Sequence, residues 1–522
     1  MQKVFVWGAC FLAMLAFIAA GPLGALSADE PAQPTDELVE DVAENVTADV
    51  AEEAGTDAAE EVATEETEDV VRNEDDSVVS QSDAEGALSD EPAIEDPVDP
   101  PVPAEPAPLS LAGSKGKSNG CKGGSCGKGK GKGGGMFGGC NLGPPWTLPQ
   151  SKCAQRTGLI VGGWLEQGYT YNADQPADRF NGPVATNDRH NEYQMNQLWL
   201  YAVKPTDTGG SGWDIGGRLD VLYGSDYRFG INFGLEDSFQ SYDQNYGIVI
   251  PQAYLEVAYN KLKVKLGHFA GILDYEIVPA VGNPFYSHSY SYGYTVPQLV
   301  TGVLADYQVN DRLSVQAGFH RGWMMFDDVN NNLDFMGGVK WTSADQNLSA
   351  AYAISYGQQA PTGAPVGDRF VGSFVGKAQL TQRLQYVLVQ NYGYEQNGDP
   401  RSGFTEQAQW YGLNQYFLYK VNDCLSANLR AEWMRDDDGA RIFGVPNVLP
   451  GVRTWPGGPG FEGNFFEVTA GLNWRPHANV LLRPEIRWDW YDGTTGLGGE
   501  LPFDAGTSDD QLTAAIDLII TY

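Results

Sequence analysis

Charged side chains recur at every second position in several stretches of this chain. Between residues 483 and 489, four charged residues alternate with apolar or aromatic ones, and residues 425–434 and 466–475 show a similar pattern. Because successive side chains of a strand point to opposite faces, each stretch has one polar and one apolar face. Charges of both signs on one face can line an aqueous path or pair with each other along a wall. The candidate lining residues are Arg218, Asp220, Glu256, Lys263, Lys265, Arg430, Glu432, Glu467, Arg475, Arg483, Glu485, Arg487 and Asp489.

Patterns for catalysis and metal binding are weak in this sequence. The chain has five histidines, and none stands in a convincing Ser/His/acid constellation. Residues 123–127 match the nucleophile-elbow pattern, but they lie in a glycine tract without the strand and helix that the motif needs. Residues 328–332 have calcium-loop spacing but lack the turn glycine and the closing glutamate. We therefore expect no enzyme activity, no cofactor and no metal.

Four cysteines cluster near one glycine-rich and lysine-rich segment: Cys121, Cys126, Cys140 and Cys153. A zinc site usually needs two close cysteine pairs, and only Cys121 and Cys126 are close in sequence. Disulfides are the stronger alternative for an exported chain. Their connectivity cannot be read from the spacing and stays open.

Composition restricts the class of protein. The chain has 522 residues and a net charge of −35, with 64 glycines and 12% aromatic residues. A strongly acidic chain is a poor match for nucleic acid, whose phosphates require Lys and Arg. Beyond residue 28, no apolar run approaches the 18 residues that a membrane-spanning helix needs. The glycine and aromatic content favours an all-β protein with many turns.

Charge and composition divide the chain into four segments. Residues 1–28 carry Lys3, an apolar core and small residues at 25–27, the pattern of a signal peptide. Residues 29–110 hold 28 acidic residues against Arg72, and we expect a disordered, Pro-rich spacer. Residues 111–153 hold seven lysines and no acid, so this Gly/Lys/Cys-rich segment could contact cell-wall polymer or another anionic surface. Residues 154–522 carry the alternating pattern.

The alternating pattern predicts a transmembrane, antiparallel, up-and-down β-barrel. A soluble sandwich also alternates, but segments of about 10–12 residues with aromatic ends suit a tilted crossing of a bilayer. Short turns alternate with long loops, which puts both chain ends on the periplasmic side. The count is sixteen, with 14 or 18 left open. The predicted strands lie near 157–171, 192–203, 213–223, 252–260, 261–269, 299–309, 312–322, 334–342, 347–356, 369–379, 383–393, 409–421, 424–435, 463–475, 478–490 and 511–522.

The last strand ends on an aromatic residue. Apolar residues at 514, 516, 518 and 520 share one face with Tyr522, and nothing follows to cover this edge. Closure against the first strand would remove the exposed edge. Tyr522 is therefore the candidate assembly signal, read by the barrel-insertion machinery of the outer membrane.

Residues ~141–522 resemble the putative β-barrel porin-2 family, also called OmpL-like. The resemblance implies an outer-membrane, porin-like barrel, and it does not supply a substrate. It rests on the order of several short stretches. These are Gly162-Gly163-Trp164 with Gly168, Gly267-His268-Phe269, Tyr275-Glu276 with Asn283, Leu429-Arg430-Ala431-Glu432-Trp433 followed by Asp436-Asp437-Asp438-Gly439, Gly471-Leu472-Asn473-Trp474-Arg475-Pro476, Arg483-Pro484-Glu485-Ile486-Arg487 and Thr521-Tyr522.

A 16-stranded barrel with a polar inner face leaves a water-filled lumen. We therefore expect an outer-membrane porin, surrounded by lipid, for passive diffusion of small hydrophilic solutes or ions. The alternative is a non-conducting surface or scaffold barrel: an adhesin, a receptor or an envelope tether through residues 29–140. A homotrimer is expected by fold analogy only. The solute and the ion preference cannot be read from the sequence.

The third long loop, residues 270–298, is the predicted constriction. In 16-stranded porins this loop typically folds into the channel, which is an argument from fold analogy. Its apolar stretches at 270–273 and 277–281 are poorly suited to a solvated loop and need a wall to pack on. Asp274 and Glu276 would then face basic wall residues such as Arg430, Arg483 or Arg487 and set the ion preference. The alternative is that the loop covers the barrel mouth or a subunit interface.

Overall fold

The computed structural model describes residues 140–240, 244–328, 330–359, 366–442, 460–496 and 499–522. The predicted signal peptide, the acidic spacer and most of the Gly/Lys/Cys-rich segment lie outside these residues. Within the described residues the chain forms sixteen strands. They are β1 (Ile160–Asn172), β2 (Tyr193–Lys204), β3 (Trp213–Gly224), β4 (Gly247–Tyr259), β5 (Leu262–Ala270), β6 (Leu299–Asn310), β7 (Leu313–His320), β8 (Asp334–Thr342), β9 (Leu348–Gln359), β10 (Gly367–Gln379), β11 (Leu384–Glu395), β12 (Ala408–Asn422), β13 (Leu425–Asp436), β14 (Gly463–His477), β15 (Val480–Gly493) and β16 (Asp510–Thr521).

The sixteen strands form one closed barrel. Each strand pairs antiparallel with its neighbours in sequence, and β1 pairs with β16. The predicted barrel and its strand count are confirmed. The connections at one end of the barrel have two to eight residues, and those at the other end have seven to 28 residues. The end of the barrel that carries the shorter connections is called here the short-turn end.

In the described residues, helical structure lies in the connections and in the segment before β1. It includes two short α-helices, α1 (Lys152–Thr157) and α2 (Tyr290–Tyr294). Four 3₁₀ turns lie at Ser225–Phe229, Glu236–Ser238, Ala280–Gly282 and Asp504–Gly506. In the part of the chain that the structure describes, no helix is long and apolar enough to cross a membrane.

The two faces of the sheet differ as the alternation predicts. Large apolar side chains such as Leu200, Leu255 and Ile486 are exposed on the outer face. The alternate positions carry the polar and charged side chains, which point to the inside of the barrel. Burial of charge is possible there because loops and neighbouring strands supply opposite charges and hydrogen bonds.

Strand β4 begins earlier than the sequence predicts, at Gly247 instead of 252. Pro251 lies inside this strand and has no N–H to give to the ladder. The pairing of β3 with β4 shifts register between Asp220 and Leu222, opposite this position. The bulge accommodates the proline, so the strand continues through it and the second long loop is shorter than expected.

The N-terminal end of the described chain is attached to the short-turn end of the barrel. Cys140 forms a disulfide with Cys424, in the turn between β12 and β13. Trp146 stacks on His477, with ring centroids 4.3 Å apart, and its backbone bonds the side chain of Asn479. Cys424 lies 284 residues from Cys140, so the spacing of the N-terminal cysteines does not indicate this partner. Cys153 is also disulfide-bonded.

Barrel closure extends to the last residue. Tyr522 donates its backbone N–H to Gly163 O at 2.9 Å, and Gly163 donates to Tyr522 O at 3.0 Å. The Tyr522 hydroxyl lies 3.2 Å from Trp199 O on β2. The terminal aromatic residue therefore bonds to both of the first two strands.

Candidate functional site

The loop between β5 and β6, residues 271–298, runs inside the barrel and is called here the inner loop. Its apolar side chains pack on inward-facing residues of the wall. Leu273, Tyr292 and Val296 join a cluster with Tyr254 and Phe269 near the start of the loop. Ala280 joins a second cluster against β1 and β2, and Phe285 joins a third against β10–β12. The apolar stretches that the sequence singled out thus find their packing partners within the barrel.

Two wall carboxylates bind the inner loop through its backbone. Glu485 on β15 accepts hydrogen bonds from the N–H groups of Tyr286 and Ser287, at 2.9 and 3.1 Å. Glu432 on β13 accepts from the N–H groups of Tyr290 and Ser291, at 2.7 and 2.6 Å. Hydrogen bonds from N–H groups to a charged acceptor are stronger than those between neutral groups. These four bonds hold the middle of the loop against the wall.

Three wall arginines bind the opposite polar groups of the same loop, its carbonyl oxygens. Each of these arginines is at most 1% exposed and also pairs with at least one carboxylate of the wall. The guanidinium group offers five N–H donors, so one arginine can bind a carboxylate of the wall and a carbonyl oxygen of the loop at the same time. The distances are 2.8 Å from Arg430 to Ser287 O, 3.0 and 2.8 Å from Arg483 to Ala280 O and Asn283 O, and 2.7 Å from Arg487 to His288 O.

Glu276 extends this network from the loop side. Its carboxylate lies 2.9 Å from Arg430 Nη1, 2.7 Å from His288 Nδ1 and 2.8 Å from the Tyr416 hydroxyl. Burial alone would raise the pKa of Glu276, but Arg430 and His288 outweigh burial and hold this pKa at about 2. Glu276 is therefore a charged, fully paired group.

Asp274 has a different environment. Its carboxylate accepts a hydrogen bond of 2.6 Å from Asn391, and its backbone N–H donates to the Ser373 hydroxyl at 3.0 Å. Burial raises the pKa of Asp274 to about 6, and the nearby Glu276 charge adds to this increase. Asp274 therefore contacts neutral wall groups, whereas Glu276 contacts Arg430.

The predicted lining residues fall into four groups. Seven of them, from β13–β15, face the inner loop: Arg430, Glu432, Glu467, Arg483, Glu485, Arg487 and Asp489. Arg218 and Asp220 form a pair on β3, with 2.7 Å between Arg218 Nε and Asp220 Oδ1. Glu256, Lys263 and Lys265 share the inner face of β4 and β5, and Arg475 lies near the short-turn end of β14. That these residues border a conducting path stays a prediction.

Sequence reasoning missed several inward-facing charged residues. Lys340 pairs in register with Ser314 and shares the face of Met336, which packs in the cluster with Leu273. The Lys377 ammonium lies 4.6 Å from the ring centre of Tyr275 in the inner loop. Both lysines stand at alternate positions within short apolar stretches, so the signal was present. Missed acidic residues include Glu166 and Asp517, which both bind Arg483.

The family model for the putative β-barrel porin-2, OmpL-like family matches residues 158–522. The chain belongs to this family. It is accordingly an outer-membrane porin, as the resemblance implied. No curated protein matches the chain. In the described residues, no group of three or more His, Cys, Asp or Glu side chains could hold a metal ion.

Solved structures of bacterial outer-membrane proteins are similar to this barrel at low sequence identity. The outer-membrane channel DcaP of Acinetobacter baumannii is 12% identical, covering 70% of this chain and 97% of its own, with a TM-score of 0.45. An anion-selective porin from Comamonas acidovorans is 12% identical, with a TM-score of 0.47. The match covers 70% of this chain and 99% of that porin. OmpT of Vibrio cholerae, in a trimer form, is 11% identical, with a TM-score of 0.43. The match covers 70% of this chain and 99% of OmpT.

Proposed function

We propose that this porin admits small hydrophilic solutes and ions by passive diffusion past a fixed constriction. The inner loop forms the constriction, and the predicted lining residues border the channel around it. The observation that carries the proposal is the set of hydrogen bonds joining the loop to β13 and β15. A loop held by buried carboxylates and arginines narrows the lumen without needing to move. It is a permanent filter for size.

A cavity supports an aqueous path beside the loop. It lies between Pro284 of the inner loop and the short-turn halves of β10–β14, with a volume of about 390 Å³. Apart from Pro284 and Leu418, its lining is polar: Gln379, Gln382, Arg383, Gln385, Lys420, Ser426, Asn428 and Asn473. Amide, hydroxyl and cationic groups favour water and water-soluble solutes over apolar ligands.

We propose that Asp274 and Glu276 help to hold the inner loop in its position inside the barrel. Asp274 is 9% exposed and Glu276 is 2% exposed, and both are engaged by wall side chains. Their first effect is therefore to hold the loop in place. The effect of these two residues on ion preference, which the sequence analysis proposed, remains to be measured by reversal potentials.

The remaining partners are also proposals. We propose a homotrimer, by analogy with other 16-stranded porins. We also propose that Tyr522 is read by the barrel-insertion machinery, and that the lysine-rich segment within residues 111–153 contacts an anionic surface of the envelope. Chemical cross-linking in the native membrane tests the first proposal, and pull-down with purified cell wall tests the last.

Single-channel recording in planar bilayers tests the proposed function. We expect stepwise, ohmic conductance from the purified, folded full-length protein, and none from the same protein after heat denaturation. Liposome swelling with neutral sugars of increasing size should show a sharp upper limit of size. A folded barrel that gives neither conductance nor swelling would contradict the channel and favour the scaffold alternative.

A further inference from the structure

The inner loop divides the inside of the barrel into two unlike walls. On β13–β15 the charged side chains lie beneath the loop, and Arg430, Glu467 and Asp489 are fully buried. On β5–β10 the inward-facing cations remain partly open to solvent. Lys263 is exposed, and Lys265, Lys340 and Lys377 are half-buried. These last four residues are called here the lysine wall.

Strand register places the lysine wall on the inner face. Lys263 and Lys265 stand opposite Ala258 and Glu256 on β4, and Glu256 is buried against the Thr206 hydroxyl inside the barrel. Lys265 also lies over the Tyr254 ring, at 4.9 Å from its centre. Lys377 lies over Tyr275 of the inner loop. The lysine wall therefore borders the same space as the loop.

Positive charge is in excess along this wall. The acidic residues on the inner face of β4–β10 are Glu256, Asp306 and Asp334, against the four lysines and Arg369. Asp306 lies within electrostatic reach of Lys263, Lys265 and Lys340, and it accepts a 2.7 Å hydrogen bond from Gln316. Lys340 stands opposite Ala351 and Lys377 opposite Ser349, two positions apart on the same face of β9, so both ammonium groups face one part of the lumen. A mobile anion near both groups would be favoured.

The cavity under the inner loop continues this surface. Gln379 in its lining is two residues beyond Lys377 on the same face of β10, and two further cations, Arg383 and Lys420, also line it. No carboxylate lines the cavity, although Asp423 pairs with Lys420 at its edge, at 2.8 Å. The excess of positive charge therefore extends from mid-barrel to the short-turn end.

We infer that the channel prefers anions and that the lysine wall sets this preference. This inference rests on the proposed diffusion channel. Small anions in this path meet accessible ammonium groups, whereas most of the carboxylates of the opposite wall are buried under the loop and bonded to its N–H groups or to arginines. Fixed charges beside a narrow, low-dielectric path select for ions of opposite sign. The substrate class is small inorganic or carboxylate anions.

The test is the reversal potential of single channels in a gradient of KCl. The wild-type protein should show a higher permeability for chloride than for potassium. Replacing Lys263, Lys340 and Lys377 together with Gln should lower the chloride-to-potassium permeability ratio by roughly twofold or more. Lys261→Gln is the matched control, because Lys261 is an exposed lysine in the adjacent turn and outside the wall. The triple Lys→Arg variant should keep the wild-type ratio.

The outcomes separate the two proposals. A conducting wild-type channel without chloride preference overturns this inference alone, and so does a triple Gln variant that keeps the wild-type ratio. If the triple variant does not fold, the wild-type ratio and the single variant Lys377→Gln decide the question. A folded wild-type barrel that carries no current overturns the proposed function, and this inference with it.

Discussion

Glu276 and Arg430, 154 residues apart in sequence, form an ion pair inside the barrel with 2.9 Å between Glu276 Oε1 and Arg430 Nη1. Both side chains are buried, and Arg430 also pairs with Glu467 of the neighbouring strand. A bond from the inner loop thus ends on a residue that is itself fixed between two strands. The loop and the wall therefore form one connected network. A substitution of Glu276 or Arg430 should change both the stability of the barrel and its conductance.

Glu276→Gln should destabilise the barrel. Removing one partner of a buried ion pair leaves the other incompletely compensated and typically costs roughly 3–5 kcal/mol, although Arg430 keeps Glu467 here. We expect a lower temperature for the heat-induced mobility shift on gels and noisier single-channel currents from a looser loop. Asp274→Asn is the control, since Asn391 is a neutral partner. If Glu276→Gln and the wild type show the mobility shift at the same temperature, the Glu276–Arg430 pair does not anchor the loop.

Stability should depend on pH in two opposite ways at the inner loop. Burial raises the pKa of Asp274 from its ordinary 3.8 to about 6, so the folded protein holds this proton more tightly than the unfolded chain. The contribution of Asp274 to stability therefore rises as pH falls through about 6 and levels off below about 3.8, with an upper bound of roughly 3 kcal/mol. The pKa of Glu276 is lowered from 4.5 to about 2, so its contribution is lost as pH falls below about 4.5.

Urea unfolding of the detergent-folded protein at pH 7, 6, 5 and 4 measures this dependence. Other carboxyl groups titrate in the same range, so the comparison is between wild type and Asp274→Asn. The variant should lack the part of the stability gain between pH 7 and 5 that belongs to Asp274. Parallel curves for the two proteins would mean that Asp274 has an ordinary pKa.

Deletion of Tyr522 should block insertion into the outer membrane. It removes the last pair of backbone bonds between the closing strands, those with Gly163, and the aromatic end of the outward face. We expect the exported chain to accumulate without heat-modifiable mobility. Tyr522→Phe keeps the ring and loses the hydroxyl contact with Trp199 O, so it should insert normally. Normal levels of the truncated protein in the membrane would remove Tyr522 from the assembly signal.

The barrel should fold without the N-terminal tail. Deleting residues 29–140 removes Cys140 and its disulfide, but it leaves all sixteen strands and the contacts of Trp146 with Asn479. Insertion and conductance should therefore be retained. Loss of folding in detergent would mean that the tail is structural and that the predicted boundary is wrong.

The Cys140–Cys424 disulfide can be detected directly in the full chain. After trypsin digestion without reductant, mass spectrometry should find the peptides 133–152 and 421–430 linked. Cys424→Ser should abolish the linked species and preserve the barrel. A Cys140 linked to Cys121, Cys126 or Cys153 instead would contradict this pairing.

Much of the fold was predictable because a period of two is a local signal. Strands such as β13 show their two faces within ten residues, and connections such as Asn422-Asp423 stand where hairpins turn. Contacts between distant residues leave no such signal. Cys424 is separated from Cys140 by 284 positions, and nothing near Glu432 indicates that it binds the N–H groups of Tyr290 and Ser291. Lys340 and Lys377 were predictable by the same alternation and were overlooked because their strands carry few other charges.

Gly168 tests how closely the inner loop packs on the wall. A Cβ atom at this position would lie 2.4 Å from Cζ of Tyr286, whose hydroxyl bonds Asn196 at 2.8 Å and whose N–H bonds Glu485. Because Tyr286 is buried and held at both ends, Gly168→Ala should shift the loop and cost roughly 1–3 kcal/mol through overpacking. Gly376→Ala on the outer face of β10 is the control, as only the ring of Phe374 is near, at 3.2 Å.

A double-mutant cycle decides whether the effect of Gly168→Ala acts through this contact. Tyr286→Ala removes the ring that the new methyl group meets, so Gly168→Ala should cost little more in that background. Single-channel conductance should follow the same pattern, changing with Gly168→Ala in the wild type and much less beside Tyr286→Ala. Additive losses of stability from the two substitutions would show that the methyl group is accommodated without moving Tyr286. The inner loop would then have room at the wall of β1 that this structure does not show.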